Sequence, residues 1–322
     1  MKKQLKETFV EAIQTGQTVH DLFVVREKQL GYKKDGNPYL TITLADRTGN
    51  VKAVAWDNVE KISNAFATGD HVKVKANATE YKGVLQLVVI SLSRQEPSEV
   101  NLRDFLPSTE RDVDQMLARL IKISQTVKNP HLSRLLSAFF EDTAFVDRFR
   151  MAPAAKKMHH AYLGGLLEHT LSMALLIQAM AGHYKGIDED LLLTGGILHD
   201  IGKVDEFFYE THIDYSDAGR LLSHIVIGVE MLEAKIATID DFPEELSLLL
   251  KHMIVSHHGT RDFGSPEPPM TLESIILHYL DELDAKVTAV RTFMDSEDDP
   301  NIAWTSYHRV LDRFFYKGKD NA

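Results

Sequence analysis

The chain of 322 residues contains no cysteine. This absence excludes disulfide bonds and thiolate metal sites, so any metal ion must be bound by His, Asp or Glu. No run approaches the roughly 18 apolar residues that a membrane span needs. The first residues, "MKKQLKETFVEAIQTG", lack the apolar segment of a signal peptide. These absences predict a cytoplasmic protein that has no membrane partner.

The net charge of −11 is unevenly distributed along the chain. Residues 1–95 contain 14 Lys and Arg against 10 Asp and Glu, whereas the remainder contains 22 against 37. Overall acidity argues against nucleic acid, but a mildly basic segment joined to an acidic one suggests two functions. Histidine is clustered as well, because 11 of the 15 histidines lie between His159 and His278.

The first part of the chain follows a period of two. Segments such as "YLTITLA" (39–45) and "VKAVAW" (51–56) alternate, and turn signals such as "KKDGNP" and "DRTGN" separate them, which predicts five β-strands. A short helical stretch, "NVEKISNAFA", lies between the third and fourth strands. Five strands with a helix at this point are the layout of an OB-fold barrel. One side of strands two and three is uniformly apolar and is predicted to face the barrel core: Leu40, Ile42, Leu44, Val51, Ala53 and Ala55.

The rest of the chain changes to a period of 3.6. Segments such as "VDQMLARLIKISQTV" and "LLEHTLSMALLIQAMAGHY" each have an apolar helical stripe. The fold class is therefore α+β and multidomain. We expect a nucleic-acid-binding OB-fold barrel over 1–98, a linker over 99–112 and an all-α helical bundle over 113–322.

Polar residues of metal-binding type interrupt several of these apolar stripes. A lone His-Asp pair, such as the one in "GGILHDIGK", is usually just polar structure at the end of a helix. Burying one such group without a partner costs roughly 1–3 kcal/mol, so a convergent set is hard to tolerate unless something binds it. The set consists of His169, His199, Asp200, His224, His257, His258 and Asp281.

This pattern resembles the HD-domain metal-dependent phosphohydrolase superfamily, whose signature is one His, an adjacent His-Asp and a distant Asp. The resemblance implies that residues 113–322 form an HD domain in which His169, His199, Asp200 and Asp281 bind a metal ion. In the dinuclear branch, a further His and a His-His pair bind a second ion, and here these are His224, His257 and His258. Asp200 would then bridge the two ions. Asp284 remains an alternative to Asp281, and Gly165 replaces the Glu that members with a third metal can have, which favours two ions.

Imidazole and carboxylate ligands suit Mn²⁺, Fe²⁺, Co²⁺, Ni²⁺ or Zn²⁺. Two such ions can activate water and stabilise an in-line displacement at phosphorus, with Asp200 at the centre of catalysis. Lys203 would contact the scissile phosphate, although a lysine in a loop can also be merely solvated. His159 and His160 either line the substrate path or merely begin a helix.

The outward side of strands two and three carries Tyr39, Lys52 and Trp56. Two aromatic rings beside a cation suit base stacking and phosphate contact on a single strand. The loops that commonly bind ligands in OB-folds contain Lys33 and Lys34, and Tyr81 and Lys82. Alternatively, Tyr39 and Trp56 cover a barrel end or a domain interface.

An OB-fold followed by a dinuclear HD domain resembles the YhaM-type 3′→5′ exoribonucleases of bacteria, and "HHAYLGGLLEHTLSM", "SHHG" and "HYLDELDAK" are similar to that group. The resemblance covers nearly the whole chain. It implies a manganese- or cobalt-favouring hydrolase that removes nucleoside 5′-monophosphates from the 3′ end of single-stranded RNA or DNA. The sequence leaves open whether the protein forms a homo-oligomer.

Three alternatives remain within this interpretation. The first is a hydrolase of small or cyclic nucleotides in which the barrel is regulatory. Its cyclic-dinucleotide form is disfavoured because no Gly-Tyr-Pro motif follows His258. The second is a non-catalytic single-strand binding protein, which the presence of all seven ligand residues disfavours. The third concerns the substrate, because the sequence does not distinguish RNA from DNA.

Overall fold

The computed structural model describes residues 4–156, 160–297 and 302–318. The chain divides into two compact units. One comprises Met1–Ser108 together with Tyr209–Ile213, and the other comprises Thr109–Phe208 and Asp214–Ala322.

The first unit contains a closed five-stranded barrel. Its elements are β1 (Thr18–Tyr32), β2 (Pro38–Asp46), β3 (Gly49–Ala55), α1 (Val59–Asn64), β4 (His71–Tyr81) and β5 (Val84–Gln95). The strands are bonded in the order β1-β2-β3-β5-β4, and β4 returns to pair with β1. All pairs are antiparallel except β3 with β5. The OB-fold layout expected from the sequence is confirmed.

Strand alternation determines the core of the barrel. Leu40, Ile42 and Leu44 of β2 are at most 1% exposed, and Val51, Ala53 and Ala55 of β3 are at most 4% exposed. Because side chains on a strand point alternately to opposite faces, the intervening residues are left on the outside of these strands. The predicted inward side of both strands is confirmed.

Residues 99–112, which the sequence suggested as a linker, include a packed segment. Val100 and Phe105 are buried in a second small core with Leu22, Val24 and Ala45. Apolar burial of this kind stabilises a segment against the barrel, because it removes two large side chains from water. The boundary between the two compact units lies at Ser108 and Thr109.

The second unit is helical. Its helices are α2 (Val113–Ser124), α3 (Pro130–Phe140), α4 (Thr143–Phe149), α5 (Gly165–Met180), α6 (Glu189–Leu198), α7 (Lys203–Glu206), α8 (Asp217–Ile236), α9 (Glu244–Ser256) and α10 (Leu272–Asp295). Two short strands, β6 (Phe207–Phe208) and β7 (Asp214–Tyr215), pair antiparallel between α7 and α8. Several helices begin at a side chain that accepts a hydrogen bond from the first turn, such as Asp112, Asn129, Asp188 and Ser216.

Helices α5 and α6 lie at the centre of the helical unit and are apolar around most of their circumference. Gly195 and Gly196 allow close packing there. If Gly195 had a Cβ atom, that atom would lie 2.1 Å from the side chain of Met253. A Cβ atom on Gly196 would lie 2.2 Å from the side chain of Ile177. These contacts bring the end of α6, and the His-Asp pair that follows it, against α5 and α9. Across the described residues, no helix combines the length and the apolar character that crossing a bilayer requires.

Candidate metal centre

The structure brings together all seven residues that the sequence suggested as metal ligands. His169 lies in α5, His224 in α8 and Asp281 in α10. The other four lie where helices end: His199 caps α6 and is followed by Asp200, and His257 caps α9 and is followed by His258. Helix ends and helix faces from five different helices therefore converge on one buried point.

One group of ligand atoms surrounds Oδ2 of Asp200. The Nε2 atoms of His169 and His199 are 3.3 Å apart, and Oδ2 lies 3.6 Å from the first and 3.4 Å from the second. Asp281 Oδ1 lies 3.3 Å from His169 Nε2. Ligand atoms bound at about 2.1 Å to one ion are about 3.0–3.4 Å apart, so these four residues are spaced to share one ion.

A second group surrounds the other oxygen of the same carboxylate. Asp200 Oδ1 lies 3.6 Å from His224 Nε2 and 3.5 Å from His257 Nε2. One nitrogen from each of His224, His257 and His258 lies within 4.8 Å of the other two. The two oxygens of Asp200 therefore face two different groups of imidazoles.

The rings of four histidines are held by their outer nitrogens. Nδ1 of His199 donates to the carbonyl of Gly196 at 2.9 Å, and Nδ1 of His257 donates to the carbonyl of Ile254 at 2.7 Å. Carboxylates accept from the other two, since His169 Nδ1 donates to Asp284 at 2.8 Å and His224 Nδ1 donates to Glu206 at 2.9 Å. Each Nε2 atom is thereby directed inwards, which is how protein histidines are oriented towards metals.

The residues present fit a bound cation. Asp200 Oδ1, His224 Nε2 and His257 Nε2 are buried, and none of the residues that the structure describes forms a hydrogen bond with these atoms. An unsatisfied buried polar atom costs roughly 1–3 kcal/mol, and a divalent ion would satisfy all three atoms at once. The donors are nitrogen and oxygen only, which suits first-row divalent metals.

The protonation states of most candidate ligands match metal binding. Burial opposes ionisation of Asp200, but Lys203 and His199 hold its pKa well below the ordinary value. Burial lowers the pKa of His257 and lowers that of His258 to about 4. For His169, burial opposes the charge, yet hydrogen bonds with Asp281 and Asp284 raise its pKa to about 10. Asp200 is therefore ionised and His257 and His258 are neutral, whereas His169 would have to lose a proton in order to bind a metal ion.

Lys203 is a partly buried cation beside the candidate ligands. Its Nζ lies 2.6 Å from Asp200 Oδ2, and its side chain is 13% exposed. Burial would lower the pKa of Lys203, but the Asp200 carboxylate raises it. Lys203 therefore remains charged in the site rather than pointing into solvent from a loop.

Asp281 and Asp284 are one helical turn apart and have different neighbours. Asp281 faces the Nε2 side of His169, whereas Asp284 accepts a hydrogen bond from its Nδ1 side. His160 is 4% exposed, and its Nε2 lies 3.5 Å from Asp284. It therefore packs behind His169 and is closed to solvent. His159, its predicted companion on the substrate path, lies outside the described residues.

The barrel brings together part of the expected nucleic-acid face. The rings of Tyr39 and Trp56 are 5.4 Å apart, and Lys33 lies over Trp56 at 4.8 Å. Lys34 is exposed in the same β1–β2 loop. Tyr81 and Lys82 form a separate exposed pair at the β4–β5 turn, with Lys82 Nζ 5.5 Å from the Tyr81 ring centre.

Lys52 differs from the cation expected beside the aromatic rings. Its Nζ lies 3.1 Å from Glu27 and donates to Thr43 at 2.8 Å. The exposed ion pair neutralises much of the charge that a phosphate would meet, although such pairs are weak and open readily.

Two carboxylates in the site were not identified from the sequence as supporting residues. Glu206 is 5% exposed behind His224. The sequence pattern indicates Asp284 only as an alternative to Asp281 as a ligand. The sole sequence signal for Glu206 is that an acidic residue follows the HD motif directly before the apolar pair "FF". An ordinary exposed glutamate of a short helix has the same appearance.

Three family descriptions match parts of the chain. Residues 166–286 match the HD domain, and residues 24–93 match the OB-fold nucleic acid binding domain. Residues 105–185 also match a family described as putative helicase. Among relatives, the 3′-5′ exoribonuclease YhaM of Bacillus velezensis is 35% identical over 275 residues, which is 85% of this chain and 87% of the relative.

The chain belongs to the YhaM family. The YhaM protein of Geobacillus sp. (strain WCH70) is 32% identical over 305 residues, covering 94% of this chain and 93% of the relative, and it too is named 3′-5′ exoribonuclease. Membership of the YhaM family, with its HD domain, makes the chain a metal-dependent hydrolase. Among solved structures, the chain is similar to the second OB-fold domain of replication protein A from Methanococcus maripaludis, with 17% identity and a TM-score of 0.23. The match covers 28% of this chain and 94% of the solved domain.

Proposed function

We propose that this chain is a 3′-5′ exonuclease that hydrolyses single-stranded RNA with two divalent ions. The observation that carries the proposal is Asp200, whose Oδ2 lies 3.4 Å from His199 Nε2 while its Oδ1 lies 3.5 Å from His257 Nε2. A carboxylate that offers each oxygen to a different group of imidazoles can act as a bridging ligand. Two parts of the proposal, degradation from the 3′ end and RNA as the substrate, come from the name of the YhaM relatives, 3′-5′ exoribonuclease.

The two ions would share Asp200 and would otherwise have different ligands. His169, His199, Asp200 and Asp281 would hold one ion, and Asp200, His224, His257 and His258 would hold the other. Mn²⁺ is our first choice, and Co²⁺, Fe²⁺, Ni²⁺ and Zn²⁺ accept the same donors. When bound, such ions supply Lewis acidity and an activated water for attack at phosphorus.

Lys203 contributes a positive charge that the protein itself supplies. Its Nζ is 2.6 Å from Asp200 Oδ2, so it lies beside the ligand that both ions would share. A fixed cation in a buried site stabilises the negative charge that develops on phosphate oxygens more strongly than it would in water. We therefore assign Lys203 to contact the scissile phosphate.

The barrel would bind the single strand. Tyr39, Trp56 and Lys33 combine stacking surfaces with a cation, which is how OB-folds bind bases without strong sequence preference. Because both units belong to one chain, a strand bound at the barrel is present at a high effective concentration for the catalytic unit.

Trp56→Ala tests this role of the barrel. Stacking contributes about 1–3 kcal/mol per base, so the variant should bind a single-stranded RNA about 5- to 150-fold more weakly. Hydrolysis of a small phosphodiester, bis(p-nitrophenyl) phosphate, should be unchanged because it needs no stacking surface. Equal RNA affinity in the variant and the wild type would remove Trp56 from the binding face.

Product analysis in H₂¹⁸O tests the chemistry. Attack of water on phosphorus, with the 3′-oxygen of the preceding nucleotide leaving, puts one ¹⁸O into the phosphate of each released nucleoside 5′-monophosphate. Mass spectrometry of the mononucleotides formed with Mn²⁺ should show this label. Release of nucleoside 3′-monophosphates would contradict the mechanism. The same assay on single-stranded DNA determines whether deoxyribose is accepted.

A further inference from the structure

Helix α8 is interrupted at the residue immediately before a candidate ligand. Ser223 has φ 61° and ψ 162°, whereas its neighbours in the helix are helical. This backbone region is essentially restricted to glycine, and other residues persist there only when their surroundings hold them in place. His224 is therefore positioned by a backbone that is strained on its N-terminal side.

A single carboxylate oxygen holds His224 in two ways. The backbone N–H of His224 donates to Glu206 Oε1 at 3.0 Å, and its ring Nδ1 donates to the same oxygen at 2.9 Å. The first bond fixes the backbone just after Ser223, and the second fixes the tautomer and the ring orientation. Nε2 of His224 is consequently left to face Asp200 Oδ1 at 3.6 Å.

Close backbone contacts connect the first half of α8 to α7, the short helix that follows His199 and Asp200. The amide of Ser216 donates to the carbonyl of Glu206 at 2.9 Å. A Cβ atom at Gly219 would lie 2.1 Å from that same carbonyl oxygen, and one at Gly202 would lie 2.0 Å from the carbonyl oxygen of His224. Helix α8 therefore packs against α7 at both sides of Ser223, and Glu206 lies at the centre of the contact.

We propose that Glu206 is a positioning residue that holds the strained Ser223–His224 backbone so that His224 can bind the second metal ion. The inference rests on the proposed two-ion function. Without Glu206, Ser223 should relax, and His224 should turn away from Asp200. The ion held by His224, His257 and His258 should then bind more weakly, whereas the ion held by His169 and Asp281 should be retained.

Calorimetric titration of the full chain with Mn²⁺ tests this prediction. The wild type should bind two ions, and Glu206→Ala should weaken one of them about 10- to 100-fold. Glu206→Gln keeps an acceptor oxygen and should have a smaller effect. Glu230→Gln removes an exposed carboxylate from α8, the helix that contains His224, and should bind Mn²⁺ as the wild type does. Circular dichroism of each variant in EDTA checks that the fold is intact.

Ser223→Gly provides a second readout. Glycine adopts the observed backbone without strain, so the single variant should keep both ions. In the Glu206→Ala background, it should restore the affinity of the weakened ion at least threefold, which a general loss of stability would not produce.

The outcomes separate the two proposals. A wild-type stoichiometry below two ions overturns the two-ion function and this inference with it. Two ions in the wild type and unchanged affinities in Glu206→Ala overturn only the inference. Equal weakening of both ions without rescue by Ser223→Gly also overturns the positioning role.

Discussion

At the scale of single residues, the central feature of the site is the ion pair between Asp200 and Lys203. Asp200 is 2% exposed and ionised because Lys203 and the surrounding imidazoles favour the carboxylate. The same Lys203 charge that stabilises Asp200 repels a divalent ion on it. Lys203 should therefore oppose metal binding slightly while favouring catalysis.

Lys203→Met separates these two effects. Losing the cation that we propose to contact the scissile phosphate should lower kcat about 10²- to 10³-fold. Mn²⁺ affinity should remain equal or increase, because the ion no longer competes with the ammonium for Asp200. Steady-state kinetics and Mn²⁺ titration measure the two quantities, and Lys122→Met, an exposed lysine of α2, is the control. A large loss of Mn²⁺ affinity would show that Lys203 instead maintains the shape of the site.

At the scale of elements, the packing of the Tyr39 ring against the Trp56 ring on the barrel depends on a glycine. Gly31 of β1 pairs with Tyr39 of β2, and a Cβ atom at Gly31 would lie 2.6 Å from the Tyr39 ring. The ring therefore lies directly over the backbone of β1, from where it contacts Trp56. The absent side chain of Gly31 is what makes room for this arrangement.

Gly31→Ala should displace the Tyr39 ring and weaken single-stranded RNA binding by about 1 kcal/mol, or roughly fivefold. Fluorescence anisotropy with a labelled oligonucleotide measures this change. In a Tyr39→Ala background, the same substitution should have no further effect, since the ring it displaces is gone. Additive losses in the double variant would mean that Gly31 acts independently of Tyr39.

Strand β4 begins with a buried histidine, His71, which should make the stability of the barrel depend on pH. His71 is 1% exposed and packs edge-on against Phe105 with ring centres 4.7 Å apart. Within the described part of the chain, neither ring nitrogen has a hydrogen-bond partner. Burial lowers its pKa from 6.5 to about 4, while Asp70 raises it and Arg26 lowers it further. Between these two values the unfolded chain binds more protons than the folded one, so stability falls as the pH falls.

From pH 7.5 to pH 5, this difference corresponds to about 2 kcal/mol of lost stability in the barrel. Hydrogen exchange of the β4 amides, corrected for the intrinsic rate at each pH, should report the loss. His71→Leu should abolish most of the pH dependence, whereas His20→Leu, at an exposed position of β1, should leave it unchanged. An identical pH dependence in His71→Leu would refute the assignment.

Some features could be predicted from the sequence because they rest on local periodicity. Strand alternation identified the inward residues of β2 and β3. Apolar helices interrupted by His and Asp indicated the candidate ligand set, whose members the structure brings together. Other features depend on register or backbone geometry. A bulge in β1 between Val25 and Glu27 places Glu27 opposite Thr43 of β2. Lys52 of β3 lies on the other side of Thr43, so Glu27 and Lys52 can form the ion pair that the sequence did not predict. The kink at Ser223 is equally hidden, because "LLSHIVIGVEML" has the pattern of one continuous helix.

At the scale of the whole molecule, the chain joins two regions of sequence with different charge. Residues 1–95 contain 14 Lys and Arg against 10 Asp and Glu, and the remainder contains 22 against 37. A barrel with a mildly basic sequence suits a polyanionic strand. The acidic excess of the catalytic part is offset in part when divalent ions bind.

The most direct test is the degradation of a 5′-labelled single-stranded RNA by the full chain with Mn²⁺. The products should form a ladder that shortens from the 3′ end. Asp200→Asn should slow it by more than about 100-fold, because losing a ligand costs more than losing a supporting residue. Asp240→Asn, at an exposed position, should degrade the RNA as the wild type does. Intact RNA with the wild type, or a ladder that Asp200→Asn leaves unchanged, would contradict a metal-dependent 3′-5′ exonuclease centred on Asp200.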